Sequence, residues 1–202
     1  MVTTVFTDLG GVLLTNGWDR TARRRAAEQF SLDYEDMDER HHLTFDTYEI
    51  GRLSLDEYLN RVVFNKPRGF SREDFRAFMF AQSQPIHEML ELMRQVKQHN
   101  SVRIVAISNE GRELAQHRID AFRLRDFIDA FFVSGFLHMR KPDRYIFLTA
   151  LDAIQAPLQD SIYLDDRLLF VEIATSLGMN AFQHVKYEET RDRLLSLGLK
   201  LG

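Results

Sequence analysis

The stretch Thr3-Thr4-Val5-Phe6-Thr7-Asp8-Leu9-Gly10-Gly11 decides the fold class of this chain. Its β-branched and aromatic residues predict a short buried strand, and the two glycines predict a turn directly after it. Asp8 therefore stands at the carboxyl end of the first strand. Apolar runs at Val102–Ile107 and Ser161–Leu164 also predict strands, and polar residues follow each of them.

Helical patterns separate these strands along the chain. Apolar residues at helical spacing predict helices near 86–96, 113–122, 143–154 and 188–197, while weaker strand patterns occur at 130–133 and 180–182. Strands that alternate with helices of this length predict right-handed βαβ units. The expected fold is an α/β fold with a parallel sheet and helices on both of its faces.

The segment 17–83 differs from the rest because it contains no strand-like run. Ser54 followed by Glu57, and Ser71 followed by Asp74, have the spacing of capping boxes that begin helices. We therefore predict an all-helical insertion at 17–83, between two segments of the core at 1–16 and 84–202.

Composition excludes several classes of protein. The chain has 202 residues, of which 26 are basic and 30 acidic, so the net charge of -4 gives no broad surface for nucleic acid. It contains no cysteine, which excludes disulfides, thiolate catalysis and cysteine-ligated metal. Uncharged stretches reach only about ten residues, short of the roughly 20 that a membrane span needs. We expect a cytoplasmic protein that binds neither membrane nor nucleic acid.

The polar residues after the strands are the candidate site. The carboxyl ends of parallel strands meet at one edge of a sheet, so Asp8, Ser108 and the pair Asp165-Asp166 are expected to converge. Gathered carboxylates repel one another, and a hard divalent cation such as Mg²⁺ holds them together. Lys141, just before Pro142, can bring an ammonium group to the same crevice. This set of groups suits phosphoryl transfer.

Four motifs in this order resemble those of the haloacid dehalogenase-like hydrolase superfamily. They are Asp8-Leu-Gly-Gly-Val-Leu13, Ile107-Ser-Asn109, Arg140-Lys-Pro-Asp143 and Tyr163-Leu-Asp-Asp-Arg167. The resemblance spans almost the whole chain. It implies a Rossmann-like three-layer core with an inserted all-helical cap domain, and in most members a Mg²⁺-dependent phosphatase activity.

The resemblance also implies roles for individual residues. Asp8 would be the nucleophile that forms an aspartyl-phosphate, with Lys141 as the second catalytic residue. Ser108, Asn109 and Lys141 would bind the phosphate. The expected metal ligands are Asp8, the Gly10 carbonyl, Asp165 and Asp166, with the direct ligand among the last two left open. The expected substrate is a small phosphate monoester such as a sugar phosphate.

Gly10 departs from the family pattern. Phosphatases of this family commonly have an aspartate there, which acts as general acid and base and contributes roughly 10²–10⁴-fold to the rate. Its absence suggests a preference for phosphates with good leaving groups. Because this aspartate is absent, a catalytically weak binding or regulatory module is an alternative function. A receiver-like signalling domain and a metal-free dehalogenase rank lower.

Three residues after the first motif are candidate substrate contacts, namely Asn16, Trp18 and Arg20. Two side-chain groups in the helical insertion are expected to be solvated, the pair His41-His42 and the run Arg23–Arg25. The sequence is compatible with either a monomer or a homodimer.

Overall fold

A five-stranded parallel sheet forms the centre of the protein. The computed structural model describes residues 1–202. The strands are β1 (Thr4–Thr7), β2 (Arg103–Ser108), β3 (Ala130–Val133), β4 (Ser161–Asp165) and β5 (Asn180–Gln183). Their order across the sheet is β3-β2-β1-β4-β5, so the first strand lies in the middle. The predicted α/β fold is confirmed.

The strand register brings the polar strand ends together. Thr7 pairs with Ala106 on one side and with Leu164 on the other. The next residue, Asp8, donates its backbone N–H to the Leu164 carbonyl at 3.0 Å. The carboxyl ends of β1, β2 and β4 therefore lie side by side, as the sequence predicted.

Helices cover both faces of the sheet. They are α1 (Arg20–Gln29), α2 (Tyr34–Glu49), α3 (Leu55–Val62), α4 (Arg72–Ala81), α5 (His87–His99), α6 (Arg112–Ala121), α7 (Ser134–Leu137), α8 (Arg144–Ile154), α9 (Leu168–Ser176) and α10 (Tyr187–Ser196). Neighbouring residues of β1 point to opposite faces: Val5 packs in a cluster with residues of α5, α6 and α10, while Phe6 packs with residues of α8 and α9. The result is a three-layer core.

The helices α1 to α4 surround a cluster of their own. It includes Trp18, Tyr58 and Phe75, which are buried together with apolar residues from all four helices. Ser54 and Ser71 begin α3 and α4 with complete capping boxes, as predicted. The segment thus has an apolar cluster to which the core contributes only Leu114 of α6 among its buried members.

The chain leaves the core and returns to it at neighbouring points. The backbone N–H of Thr15 donates to the Gln84 carbonyl at 2.9 Å, and the Thr15 hydroxyl donates to the Gln82 carbonyl at 3.0 Å. A bridge between Leu14 and Pro85 continues this contact. Pro85 lies just before α5, which begins at His87.

Two expectations about exposed charges fail at one residue each, while His42, Arg24 and Arg25 are exposed as expected. His41 is buried, because it shares a face of α2 with Met37 and Tyr48. Arg23 is also buried, since its guanidinium pairs with Asp38 at 2.9 Å and donates to the Trp18 carbonyl. Separately, none of the helices is both long and apolar enough to cross a bilayer.

Candidate active site

Asp8 lies at the end of the central strand with its carboxylate almost enclosed. Its Oδ1 accepts the Leu9 backbone N–H at 2.7 Å, and its Oδ2 lies 3.0 Å from Lys141 Nζ. Burial raises the pKa of Asp8 above its usual value, although Lys141 and the Ser108 hydroxyl oppose the shift. Lys141 therefore favours the ionised form of a carboxylate whose ionised form burial disfavours.

Lys141 is fully buried behind Asp8. Its Nζ lies 2.6 Å from Asp165 Oδ2 and 3.3 Å from the Tyr163 hydroxyl. Burial lowers the pKa of Lys141, but Asp8 and Asp165 outweigh this effect and hold the pKa above its usual value. The ammonium group is therefore charged at neutral pH and balances the two carboxylates.

Asp165 and Asp166 have different surroundings. Asp165 is fully buried, and both of its carboxylate oxygens are engaged: Oδ2 by Lys141 and the Tyr163 hydroxyl, and Oδ1 by the Arg167 backbone N–H at 2.8 Å. Asp166 has a buried Oδ1 with no hydrogen-bond partner. Burial and the nearby Asp8 raise the pKa of Asp166.

These three aspartates can hold a metal ion. One carboxylate oxygen from each of Asp8, Asp165 and Asp166 lies within 4.8 Å of the others. Oxygen ligands of this kind fit Mg²⁺. Asp166 has the free oxygen, whereas Asp165 is already held by Lys141 and Tyr163, so Asp166 is the better candidate for a direct ligand.

Gly10 and Gly11 allow the backbone to pass close to this cluster. Gly11 has a φ of +73°, and a Cβ atom built on it would lie 2.3 Å from Asp166 Oδ2. Any side chain at this position would displace the Asp166 carboxylate. The glycine is therefore required by both its conformation and the close approach.

The residues after β2 lie on the other side of Asp8. Ser108 is buried next to the Asp8 carboxylate. The Asn109 side chain is bonded to the backbone of Lys141, donating to its carbonyl at 2.7 Å and accepting from its N–H at 2.8 Å. Asn109 thus fixes the loop that carries the lysine, a contact that the sequence did not predict.

A cavity of about 140 Å³ lies between these strand ends and the helical insertion. From the core it is lined by Asp8, Ser108, Asn109 and Glu110, and from the insertion and its entry by Asn16, Trp18, Phe45 and Glu49. The arginines Arg118, Arg140 and Arg167 complete the wall. It is a polar cavity with a few apolar side chains, which suits a small charged ligand.

Of the three candidate substrate contacts, the structure brings two to the cavity. Asn16 and Trp18 line it, and Trp18 is held by donating its Nε1–H to the Tyr58 hydroxyl at 2.9 Å. Arg20 does not line it. Its exposed side chain points to the Tyr34 hydroxyl at 3.3 Å, because the first turn of α1 turns residue 20 away from the core.

The cavity wall contains an ion pair whose residues are not among the predicted site residues. Arg118 Nη1 pairs with the Glu110 carboxylate, and both side chains are at least nine-tenths buried. Arg118 Nη2 also donates to the Thr15 carbonyl. A signal was present, since Arg118 interrupts the otherwise apolar stripe of Leu114, Ala115 and Ile119 on α6.

The sheet order, the aspartates at the strand ends and the buried lysine define a hydrolase of the α/β class with an acidic, oxygen-rich centre. The sequence profile of the haloacid dehalogenase-like hydrolases matches residues 2–172. The chain therefore belongs to the haloacid dehalogenase-like hydrolase family.

Solved structures share the fold. A HAD family enzyme from Bacteroides thetaiotaomicron superposes with a TM-score of 0.79 at 18% identity, over 96% of this chain and 98% of that one. Its complex with magnesium and inorganic phosphate has a TM-score of 0.76 at 18% identity, over 92% and 95%. A dehalogenase structure has a TM-score of 0.67 at 17% identity, over 98% of both chains.

A curated relative extends beyond this chain. The drimenol cyclase of Aspergillus calidoustus is 27% identical over 209 residues. The match covers 98% of this chain but only 37% of the cyclase, so the chain spans little more than a third of that relative's length.

Proposed function

We propose that this hydrolase is a Mg²⁺-dependent phosphatase that hydrolyses a small phosphate monoester, such as a sugar phosphate, through an aspartyl-phosphate on Asp8. The observation that carries the proposal is the juxtaposition of Asp8, Lys141 and the aspartate pair at one edge of the sheet. Three gathered carboxylates favour the binding of a divalent cation, which a metal-free dehalogenase does not use.

In this proposal an Asp8 carboxylate oxygen attacks phosphorus and the ester P–O bond breaks. The leaving oxygen keeps the electron pair of that bond and takes a proton from solvent water, so that it departs as the alcohol. Water then attacks phosphorus, which releases inorganic phosphate and restores the Asp8 carboxylate. Lys141 neutralises charge next to Asp8, while Ser108 and Asn109 lie where they can bind phosphate oxygens. Mg²⁺, when bound, would offset the repulsion between the carboxylate and the phosphate dianion.

Three residues would hold the metal: Asp8, Asp166 and Gly10 through its backbone carbonyl. Asp166 supplies the buried oxygen that lacks a partner. We assign Asp165 chiefly to positioning Lys141, because both of its oxygens are already engaged. This assigns different roles to two adjacent aspartates that the sequence could not distinguish.

We further propose that residues 17–83 act as a cap that selects the substrate. Trp18, Phe45 and Glu49 approach the cavity from this side. Substitution of these three side chains would change which phosphorylated metabolite fits the cavity, and it would leave the strand ends in place. A cytoplasmic location and a monomer or homodimer stay predictions.

The test is hydrolysis of p-nitrophenyl phosphate with Mg²⁺ and with EDTA. We expect turnover that EDTA abolishes and that a folded Asp8→Asn variant lacks. Asp152→Asn, an exposed carboxylate on α8, is the matched control and should retain the wild-type rate. No turnover by the wild type, together with binding of inorganic phosphate by calorimetry, would instead favour the regulatory module that Gly10 left open.

A further inference from the structure

Gly10 has no side chain, and two side chains from other parts of the protein occupy the space next to it. A Cβ atom built on Gly10 would lie 2.8 Å from Asn16 Oδ1 and 3.7 Å from Arg118 Nη1. An amide is not a proton donor to a leaving group. Burial lowers the pKa of Arg118 to about 10, so its guanidinium also keeps its protons at neutral pH.

Arg118 is a fixed cation in the wall of the cavity that Asp8 also lines. Its side chain is held by the Glu110 carboxylate and the Thr15 carbonyl, and the residue is only 2% exposed. Fixed charges act strongly in a desolvated site, because they need no reorganisation when charge develops on the substrate. Arg118 is thus suited to stabilise a developing negative charge.

The pair of Arg118 and Glu110 has unused hydrogen-bonding capacity. Arg118 Nε and Glu110 Oε2 are buried and have no hydrogen-bond partner. Buried polar atoms are normally paired, so a ligand or a water molecule is needed to satisfy these two. Both residues line the cavity, and a ligand there can supply the missing partner for the arginine.

We propose that Arg118 stabilises the leaving group as an anion, and that the substrate is a phosphoric anhydride, either an acyl phosphate or a diphosphate. The proposal rests on the aspartyl-phosphate chemistry proposed above and changes the preferred substrate from a phosphate ester to a phosphoric anhydride. An Asp8 oxygen forms a bond to phosphorus, and the anhydride P–O bond breaks. The electron pair stays on the leaving oxygen, which departs as a carboxylate or phosphate and needs no proton. An alcohol, by contrast, would have to leave as an unstable alkoxide.

The test compares kcat/KM for acetyl phosphate, pyrophosphate, p-nitrophenyl phosphate and ethyl phosphate with Mg²⁺ present. We expect at least one anhydride to be hydrolysed roughly 10²–10⁴-fold faster than ethyl phosphate, since Arg118 stabilises an anionic leaving group but donates no proton to an alkoxide. Comparable rates for anhydride and alkyl ester would overturn the proposal. No turnover of any of the four would instead contradict the phosphatase function itself.

Variants of Arg118 separate its role from the intrinsic reactivity of anhydrides. Arg118→Gln should lower kcat for the preferred anhydride by about 10²–10³-fold and reduce the anhydride-to-ester ratio. Arg144→Gln, an exposed arginine on α8, is the matched control and should change neither. A folded Arg118→Gln protein with the wild-type ratio would refute the assignment.

The variant leaves Glu110 buried without its cation, which can prevent folding. The double variant Glu110→Gln/Arg118→Gln removes both charges and offers a second folded protein for the same measurement. Its anhydride-to-ester ratio should also fall, and an unchanged ratio would overturn the role of Arg118. The substrate profile of the wild type decides the substrate class even if neither variant folds.

Discussion

We expect acidification below pH 6.5 to destabilise the protein through His41. This residue is 6% exposed, and burial lowers its pKa from the ordinary 6.5 to about 3. The Trp18 Nε1–H donates to the Tyr58 hydroxyl, which can then donate only to a neutral His41 Nδ1, 2.8 Å away. The hydrogen bonds therefore favour the same neutral form that burial favours.

The magnitude follows from the difference between the folded and unfolded pKa values. Between pH 6.5 and pH 3 the unfolded chain binds a proton at His41 that the folded protein does not bind, so stability falls as the pH falls through this range. The slope approaches about 1.4 kcal/mol per pH unit. From pH 7.5 to pH 5.0 this amounts to about 2 kcal/mol, a large share of the roughly 5–15 kcal/mol of a typical domain.

Urea unfolding at pH 7.5 and pH 5.0 measures this loss. In His41→Gln the loss on acidification should be smaller than in the wild type by about 2 kcal/mol. His42→Gln, the exposed neighbour, is the matched control and should keep the wild-type dependence. The lowered pKa of His184 contributes equally to all three proteins and cancels in the comparison. An equal loss in His41→Gln and wild type would refute the reasoning.

Three further variants test the packing and charges described above. Phe75→Ala, which removes a fully buried ring from the helical insertion, should lower the free energy of unfolding by about 3–5 kcal/mol in urea titrations. Ser71→Ala should cost about 1 kcal/mol in the same assay, because it removes the cap of α4. Lys141→Met should destabilise the protein by about 3–5 kcal/mol, because it leaves two buried carboxylates unpaired. It should also lower p-nitrophenyl phosphate turnover by at least roughly 10²-fold, a smaller loss contradicting its assigned role.

The sequence was sufficient to predict the sheet because its signals are local. Strand β1 consists of β-branched and aromatic residues, and two glycines follow shortly after it. Ser54 and Ser71 mark helix starts by spacing alone. The meeting of Asp8 with the pair after β4 followed from a general property of parallel sheets. These predictions needed no knowledge of side-chain contacts.

Other parts of the site depend on contacts between distant residues. The pairing of Arg118 with Glu110 and Thr15 requires α6 to pack beside the segment around Thr15 that connects β1 to the helical insertion. No local sequence pattern specifies this packing. The different roles of Asp165 and Asp166 depend on Tyr163 and Lys141, which engage only one of them. The prediction treats His41 and His42 alike, but adjacent helical residues point in different directions, and only His42 is exposed.

The contact between Thr15 and Gln84 has a consequence for how such proteins can diversify. Backbone hydrogen bonds join the residues on either side of 17–83, so this segment forms a closed loop attached to the core at one place. The closure entropy of a loop grows only slowly, by about 0.6 kcal/mol for each doubling of its length. Evolution can therefore lengthen, shorten or replace this segment as a module while the strand ends below it stay in register.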